Sequence, residues 1–331
     1  MKEYIERLYQ HETLNEEMAY NLLVAISSGE IDPIQVSSIL TVFIMRPIEI
    51  QELHGFQKAL LDLAIPFDLK GMNALDVCGT GGDRKDSFNI STLSAFVVAG
   101  AGYKVVKHGN YGVSSMCGSS NVLEHLGVQF TNSVDKLHPS LEKANICFLH
   151  APLFHPAMKA VAPVRRSLAV RTFFNMLGPL VNPAIPSRQL TGVFNLDLAR
   201  KYRRLQAYFD RQFMIIHSLD GYDEVSLTSP TKFFSNQKEG IIESAAFGTE
   251  NIDPVSIKGG KSIKESATIF MSVLDNTCTQ EQKKVVLANA ALGIHCFDFN
   301  KSLEKCYEEA REALNSGHAK RSFLELLNHM N

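Results

Sequence analysis

Two glycine-rich loops between Asp76 and Gly127 constrain the fold of this chain more than any other feature. The first, D-V-C-G-T-G-G-D-R-K-D-S-F-N-I-S-T, starts at Asp76, and the second, V-V-K-H-G-N-Y-G-V-S-S-M-C-G-S-S-N, starts at Val105. Each contains or follows a short apolar run of strand type. Because glycine has no Cβ, such loops turn sharply and present N–H groups to an anion. The spacing predicts one βαβ unit with two converging anion loops.

Polar side chains accompany both loops. Asn89 and Ser91 stand just before an apolar run with helical spacing, 93–101, and a helix start beside a glycine loop is a natural anion site. The second loop adds the charge of Lys107, the amide of Asn110 and two serine hydroxyls. A glycine-rich turn alone is often a packing feature. The combination favours a site for more than one phosphate group.

The composition excludes several classes of protein. With 331 residues and 45% apolar content, the chain can bury a large core and is neither disordered nor fibrous. Its net charge of −2 gives no support for a nucleic-acid or membrane-surface partner. The six cysteines form no C-x-x-C pair, which favours a reducing cytoplasm, and no segment is long and apolar enough for a membrane span. Any anion site must therefore be local.

Helix signals dominate the chain up to about residue 68. Thr13 followed by Glu16 predicts a capping box before a helix over 18–26, and Asp32 before Pro33 predicts an N-cap with proline at the first helical position. Several apolar side chains exceed what so small a bundle can cover. They pack either on a larger domain or on a second subunit, and periodicity does not separate these alternatives.

From residue 72 onward, short β-rich runs alternate with helical patterns, which predicts a mostly parallel sheet covered by helices. The predicted strands are 75–77, 104–106, 146–149, 190–194 and 213–217. A predicted helix over 165–177 interrupts the alternation and could rejoin the N-terminal helices. Two amphipathic helices, 280–292 and 302–315, close the chain, with Thr279 as a cap of the first.

We therefore predict an α/β fold with a small N-terminal all-helical domain and a larger α/β domain whose mostly parallel central sheet is flanked by helices. The helical domain covers 1–68 and is joined by a helical crossing at about 163–180. The α/β domain covers 69–162 and 181–331.

Several motifs together resemble those of one enzyme family. G-T-G-G-D and K-H-G-N in the two loops are joined by F-H-P-A-M-K at 154–159, V-R-R at 164–166, R-T-F-F-N-M-L-G-P-L-V-N-P at 171–183, and the acidic pair Asp223 and Glu224. They resemble the motifs of the anthranilate phosphoribosyltransferases, a family of the nucleoside-phosphorylase-like transferases. The resemblance runs from the first helices to the last helix.

This resemblance implies a reaction in tryptophan biosynthesis. The phosphoribosyl group of phosphoribosyl pyrophosphate (PRPP) would pass to anthranilate, giving N-(5-phosphoribosyl)anthranilate and pyrophosphate. The displacement at C1′ would be metal-assisted and would form no covalent enzyme intermediate. It also implies a homodimer formed through the helical domain, which favours the subunit interface among the alternatives above.

The resemblance further implies three sets of site residues. Those for PRPP are Gly79, Gly82, Asp83, Ser87, Asn89, Ile90, Ser91, Thr92, Lys107, His108, Gly109, Asn110, Tyr111, Gly112, Val113, Ser114, Ser115 and Ser119. Those for anthranilate are Gly79, Asn110, Arg165, His108 and His155. Two Mg²⁺ ions would be held by Ser91, Asp223 and Glu224, since Mg²⁺ bridges phosphate oxygens while taking few protein ligands.

No covalent or general-base residue is predicted. The aniline nitrogen of anthranilate is neutral at pH 7 and can attack with its own lone pair, so a strong base is unnecessary. His108 and His155 are therefore expected to line the acceptor path.

The chain departs from the family pattern at two places. Tyr111 stands where many members have arginine, and Ser120-Asn121 stands where Ala-Asp often occurs. One cation is thus missing from the diphosphate side, and we expect weaker or differently placed contacts with retained activity. Two alternatives are a pyrimidine nucleoside phosphorylase and a catalytically silent paralogue that keeps the fold and holds nucleic acid or nucleotide. The intact motifs and the slightly negative charge count against the second.

Overall fold

The computed structural model describes residues 2–112 and 117–331. The helices are α1 (Lys2–Tyr9), α2 (Glu16–Ser28), α3 (Pro33–Met45), α4 (Ile50–Asp62), α5 (Ile90–Gly100), α6 (Ser119–His125), α7 (Val134–Lys143), α8 (Ala151–Phe154), α9 (Met158–Leu168), α10 (Phe174–Leu177), α11 (Leu196–Gln206), α12 (Ile263–Leu274), α13 (Gln280–His295), α14 (Leu303–Asn315) and α15 (His318–Met330). The strands are β1 (Ala74–Gly79), β2 (Lys104–Gly109), β3 (Ile146–His150), β4 (Arg188–Gly192), β5 (Gln212–Ser218), β6 (Thr231–Ser235) and β7 (Glu239–Ile242).

The chain divides into two compact units. The first comprises Met1–Phe67 and Ala151–Ile185, and its described residues are helical with no strand. The second comprises Asp68–His150 and Pro186–Asn331 and contains the sheet. Together they confirm the predicted fold class, which combines a helical part with a larger α/β part.

The helices of the first unit bury a cluster of aromatic rings. Phe56 stacks on Phe173 with ring centroids 4.4 Å apart, and Phe43 meets the edge of both rings. Phe173 in turn stacks on Phe174 at 4.4 Å. Such pairs contribute about 0.5–1.5 kcal/mol each beyond the apolar area they bury. The F-F dipeptide of the R-T-F-F-N-M-L-G-P motif is therefore part of the core of this unit.

The helix starts and ends predicted from the sequence are confirmed in some helices and wrong in two. Asp32 caps α3 by accepting from the main-chain amide of Ile34 at 2.8 Å, and Thr279 caps α13, as predicted. The predicted capping box at Thr13 is wrong. Asn15 caps α2 instead, because its side chain accepts from the amide of Met18 at 2.8 Å. The asparagine lies one residue before the first helical turn, which is the position that a cap needs.

The predicted continuous helix over 165–177 is also wrong. The α9 helix ends at Leu168, and Ala169 follows in the left-handed conformation with φ of 52°. A separate short helix, α10, starts at Phe174. A residue in the left-handed region ends a helix because its amide turns back to a carbonyl of the last turn, here that of Arg165.

The second unit contains a seven-stranded sheet of order β3-β2-β1-β4-β5-β6-β7. Strands β1 to β5 are parallel to one another, whereas β6 pairs antiparallel with both β5 and β7. The ladder pairs Gly79 with Gly192 and Gly109 with His150, so the carboxyl ends of β1 to β4 meet at one edge. In open α/β sheets ligands bind at this edge.

One predicted strand is displaced along the chain. The strand predicted over 190–194 is β4 at Arg188–Gly192. Val193 is buried although it lies beyond the last pair of the ladder with β1, so its apolar side chain extended the predicted strand past the observed end. Helices of this unit pack on one another through aromatic contacts, such as Phe96 of α5 against Phe270 of α12 and Phe323 of α15. None of the helices in the described ranges combines the length and apolarity that crossing a bilayer requires.

Candidate active site

The first glycine loop surrounds the carboxylate of Asp223. The amide of Gly81 donates to Asp223 Oδ2 at 2.6 Å. A Cβ on Gly79 would overlap that same carboxylate, and a Cβ on Gly192 would overlap the main-chain carbonyl of Asp223. Gly81 and Gly82 have φ of 63° and 77°, a region that glycine adopts without steric cost. These glycines therefore allow the closest possible approach between the loop and Asp223.

Glu224 contacts the start of α5. Its Oε1 accepts from the amide of Ser91 at 2.9 Å, and its Oε2 accepts from the hydroxyl of Ser87 at 3.4 Å. A carboxylate at a helix N-terminus also interacts favourably with the helix dipole. The adjacent residues Asp223 and Glu224 thus accept from the glycine loop at Gly81 and from the start of α5 at Ser91.

Burial makes this acidic pair electrostatically unusual. It raises the pKa of Asp223 to about 7, with the charge of Asp83 as the next cause. Burial also raises the pKa of Glu224, which Asp223 and Asp83 raise further, while the Ser91 amide and Lys107 lower it. Asp83 Oδ2 is buried and has no hydrogen-bond donor among the described residues. Three acidic groups therefore lie close together with little compensating positive charge.

This arrangement fits a divalent cation that takes most of its coordinating oxygens from a bound phosphate compound and from water, and few from the protein. In the described part of the chain, no group of three or more His, Cys, Asp or Glu could hold a metal by itself. Mg²⁺ often takes only one or two carboxylates and completes its shell with water and phosphate oxygens. A buried carboxylate pair with raised pKa values and an orphaned neighbouring oxygen suits that binding mode.

A segment far along the chain fixes the rest of the first loop. Arg84 and Asp86 adopt left-handed conformations with φ of 62° and 51°. The amide of Gly259 donates to the carbonyl of Asp86 at 2.7 Å, and Ser87 forms an antiparallel bridge with Lys258. This support orients Ser87 toward Glu224. The sequence analysis missed it, because no local signal links 86–87 with 258–259.

Lys107 and His108 lie buried near the end of β2. The ammonium of Lys107 donates to the main-chain carbonyl of Val77 in β1. The amide of His108 donates to the buried carboxylate of Asp76 at 3.2 Å. Lys107 therefore stands beneath the first loop, and Asp76 is a supporting residue that the sequence analysis did not select.

The second loop is organised by two asparagines. The main-chain carbonyl of Asn110 accepts from the amide of Ser120 at 3.3 Å and from the hydroxyl of Ser119 at 3.4 Å. Oδ1 of Asn121 accepts from the amides of Gly112 and Gly118 at 3.0 and 3.1 Å. The predicted residues Val113, Ser114 and Ser115 lie outside the described residues.

The other predicted PRPP residues belong to the second unit as well. Asn89 precedes α5, and its side-chain Nδ2 donates to the main-chain carbonyl of Cys117 at 3.2 Å, which connects the two glycine loops. Ile90 and Thr92 are buried in the first turn of α5. Thr92 is thus in the same first turn of α5 as Ser91, whose amide donates to Glu224.

Arg165 and His155 belong to the first unit. Nη2 of Arg165 donates to Asn175 Oδ1 at 3.4 Å, and its guanidinium lies 5.3 Å from the centre of the Phe174 ring. Burial lowers the pKa of the Arg165 guanidinium and lowers that of His155 to about 4. The imidazole of His155 is therefore neutral at pH 7.

Family models match both parts of the chain. The model described as "Glycosyl transferase family, a/b domain" matches residues 71–320, and the one described as "Glycosyl transferase family, helical bundle domain" matches residues 2–64. Proteins named anthranilate phosphoribosyltransferase are similar over nearly the whole length. That of Flavobacterium johnsoniae is 53% identical over 96% of both chains, and that of Christiangramia forsetii is 52% identical over 98% of both.

Solved structures share the fold. Anthranilate phosphoribosyltransferase from Thermus thermophilus superimposes with a TM-score of 0.92 at 30% identity, covering 99% of each chain. The Saccharomyces cerevisiae enzyme in complex with PRPP and Mg superimposes with a TM-score of 0.92 at 26% identity, covering 99% of this chain and 97% of that one. The same yeast enzyme in complex with 4-fluoroanthranilate gives a TM-score of 0.88 at 25% identity, with coverage of 99% and 97%.

Proposed function

Since this chain belongs to the anthranilate phosphoribosyltransferase family and is thus a pentosyltransferase of tryptophan biosynthesis, we propose that it joins phosphoribose to anthranilate by metal-assisted displacement at C1′. The products are N-(5-phosphoribosyl)anthranilate and pyrophosphate. One observation carries the proposal: Asp223 and Glu224 contact the glycine loop at Gly81 and the helix start at Ser91. A packing turn does not require a pair of buried carboxylates there.

PRPP binds at the carboxyl edge of the sheet in this proposal. Main-chain amides of the glycine loop and of the α5 start other than those of Gly81 and Ser91, which donate to the acidic pair, donate to phosphate oxygens, an arrangement that glycine turns and helix N-termini favour. Asn110 belongs to the same set, and its carbonyl is fixed by Ser119 and Ser120. Hydrogen-bond donors that are already in place cost little reorganisation when pyrophosphate departs.

Magnesium is the proposed cofactor, with two ions per site. When bound, Mg²⁺ neutralises charge on the departing pyrophosphate oxygens. Asp223 and Glu224 would hold one ion, and the hydroxyl of Ser91 would contribute to the other. The raised pKa values of both carboxylates support the assignment, because a bound cation would offset both the cost of burying their charges and the repulsion from neighbouring carboxylates.

Arg165 is the proposed partner of the anthranilate carboxylate. Its guanidinium remains charged at pH 7 although burial lowers its pKa. Gly79, Asn110, His108 and His155 complete the proposed acceptor set. His155 is buried and neutral, which suits a residue that lines an apolar path. The neutral aniline nitrogen needs no protein base before it attacks C1′.

A fluorescence assay tests the function. Purified protein, PRPP, Mg²⁺ and anthranilate are mixed, and each component is omitted in turn. We expect anthranilate fluorescence to fall only in the complete mixture. Persistent fluorescence with folded protein and a working reference enzyme would reject the acceptor assignment. Phosphorolysis of pyrimidine nucleosides would then be measured with the same preparation.

Two further properties are part of the proposal. We propose a homodimer formed through the helices of the first unit, and Ile34 and Met45 of α3 leave apolar surface exposed there, at 79% and 74%. Sedimentation equilibrium measures the mass directly. We also propose a cytoplasmic location, for which the free state of all six thiols is the supporting observation.

A further inference from the structure

Tyr111 makes two specific contacts although it stands in a surface loop. Its hydroxyl donates to Glu124 Oε1 of α6 at 3.1 Å. Its ring meets the imidazole of His150 edge-on, with centroids 4.8 Å apart and an interplanar angle of 81°. Burial and the Glu124 carboxylate raise the pKa of the Tyr111 phenol, so the hydroxyl remains a donor. The hydroxyl and the ring of Tyr111 therefore each contact another side chain of the protein.

His150 offers Tyr111 a rigid surface. It is the last residue of β3 and is 4% exposed. Its ring stacks on Phe130 at 4.4 Å with an interplanar angle of 13°, and Nδ1 is 3.0 Å from the hydroxyl of Ser120. Burial lowers the pKa of His150 to about 4, so the imidazole is neutral at pH 7. A neutral ring held by stacking and a hydrogen bond is a suitable support for an aromatic edge.

We propose that Tyr111 is a positioning residue for PRPP, acting through its neighbours Asn110 and Gly112 rather than as a direct ligand. The residues that form the Tyr111 clasp are Tyr111, Glu124, His150 and Ser120. The inference rests on the proposed function and deepens it.

The position of the clasp explains how it acts on the substrate site. Tyr111 lies between Asn110, whose carbonyl is bonded to Ser120, and Gly112, whose amide is bonded to Asn121. Fixing the side chain of the middle residue limits the main-chain torsions on both sides. The loop then presents the Asn110 amide and the Gly112 main chain in one arrangement, which lowers the entropy lost on binding. The two departures from the family pattern, Tyr111 and Ser120-Asn121, belong to this one structure.

A double-mutant cycle separates a clasp from a direct ligand. The variants are Tyr111→Phe, Glu124→Ala and the double variant, and the measurement is PRPP affinity by titration calorimetry with Mg²⁺ and no anthranilate. We expect each single variant to weaken binding about fivefold, the size of one lost hydrogen bond. The double variant should weaken it about fivefold as well, because both changes remove the same bond.

Kinetics and a control complete this test. The KM for PRPP should rise in all three variants, with kcat unchanged. His125→Ala, an exposed neighbour on α6, should leave both constants unchanged. A double variant that weakens binding by the product of the single effects would overturn the proposal. So would weaker binding in Tyr111→Phe alone, or no weakening in any variant.

Hydrogen exchange in the unliganded protein tests the clasp without any substrate. The amides of Gly112 and Ser120 should exchange several times faster in Tyr111→Phe and in Glu124→Ala than in the unmodified chain. Unchanged exchange in both variants would reject the clasp. Faster exchange together with no consumption of anthranilate by the unmodified chain would retain the clasp and reject the proposed function.

Discussion

The main-chain amide of Ser91 donates a 2.9 Å hydrogen bond to Oε1 of Glu224, residues 133 positions apart in the chain. Through it, the start of α5 is attached to the acidic pair, while Asp223 is attached to the glycine loop at Gly81. A cation bound by the pair would therefore be coupled to the amides that are proposed to bind phosphate.

Replacing Glu224 with glutamine should reveal this coupling. The amide oxygen of Glu224→Gln can still accept from Ser91, but the negative charge is lost. We expect the Mg²⁺ concentration for half-maximal turnover to rise at least about tenfold, since a charged ligand to a hard cation is replaced by a neutral one. Thermal stability without metal should be equal or higher, because a buried carboxylate is costly.

Initial rates over a Mg²⁺ series at saturating PRPP give the measurement for Glu224. The matched control is Glu304→Gln, an exposed glutamate in the first turn of α14, which should behave as the unmodified chain does. An unchanged Mg²⁺ requirement in Glu224→Gln would contradict the assignment of this carboxylate to the metal.

Interactions between residues that are close in the chain could be predicted from the sequence more often than long-range ones. Asp32 and Thr279 were predicted as caps because a cap and its amide lie within three residues. Thr13 was a wrong choice because a second capping residue, Asn15, stands two positions later, and the pattern alone does not rank them. The break at Ala169 depends on a left-handed alanine, for which the sequence carries no mark.

The supports of the candidate site could not be predicted in the same way. Gly192 must lack a Cβ because it touches the main chain of Asp223, and Asn121 joins the amides of Gly112 and Gly118. These contacts arise from strand order and loop path. The motifs predict which residue types would contact phosphate, whereas the fold determines which other residues hold them in place.

Gly79→Ala should test the close approach between the first loop and Asp223. The added Cβ would overlap the Asp223 carboxylate, so one of them must move. We expect a loss of roughly 1–3 kcal/mol in the free energy of unfolding, the usual cost of forcing atoms into a packed site. Urea denaturation measures it. Gly178→Ala is the control, since its Cβ would have no atom within 4 Å. Equal losses in both variants would show that the overlap has no effect.

The depressed pKa of His150 predicts acid sensitivity. The folded chain keeps this imidazole neutral down to about pH 4, whereas the unfolded chain protonates it near 6.5. The unfolded state therefore binds more protons in this window, and stability falls as the pH drops from 6.5 to 4. His150→Asn should remove about 2 kcal/mol of that fall, after allowance for solvent screening. Denaturation midpoints at pH 4.5 and 7.5 provide the measurement, and identical pH slopes in the two proteins would contradict the prediction.

Two substitutions of Asn121 should change the KM for PRPP by very different amounts. Asn121→Asp keeps an oxygen that can accept from the amides of Gly112 and Gly118, and we expect its KM for PRPP to stay within about twofold of the unmodified value. Asn121→Leu leaves both amides without this acceptor. Its KM for PRPP should rise about tenfold or more, since each lost bond costs about 1 kcal/mol. Equal KM values for the Asp and Leu variants would show that the oxygen does not organise the loop.

Arg165→Gln should raise the KM for anthranilate and leave the KM for PRPP unchanged. The guanidinium is held by Asn175 and lies over the Phe174 ring, so its direction is set before anthranilate binds. A hydrogen bond to a charged group contributes about 1.5–3 kcal/mol, which predicts a rise of at least about tenfold in the KM for anthranilate. The KM for PRPP should not change. Arg166→Gln removes the same charge from the exposed neighbour, and only a general electrostatic effect would make the two variants alike. A rise in both Michaelis constants of Arg165→Gln would contradict a role confined to anthranilate and would indicate that this arginine also contributes to PRPP binding.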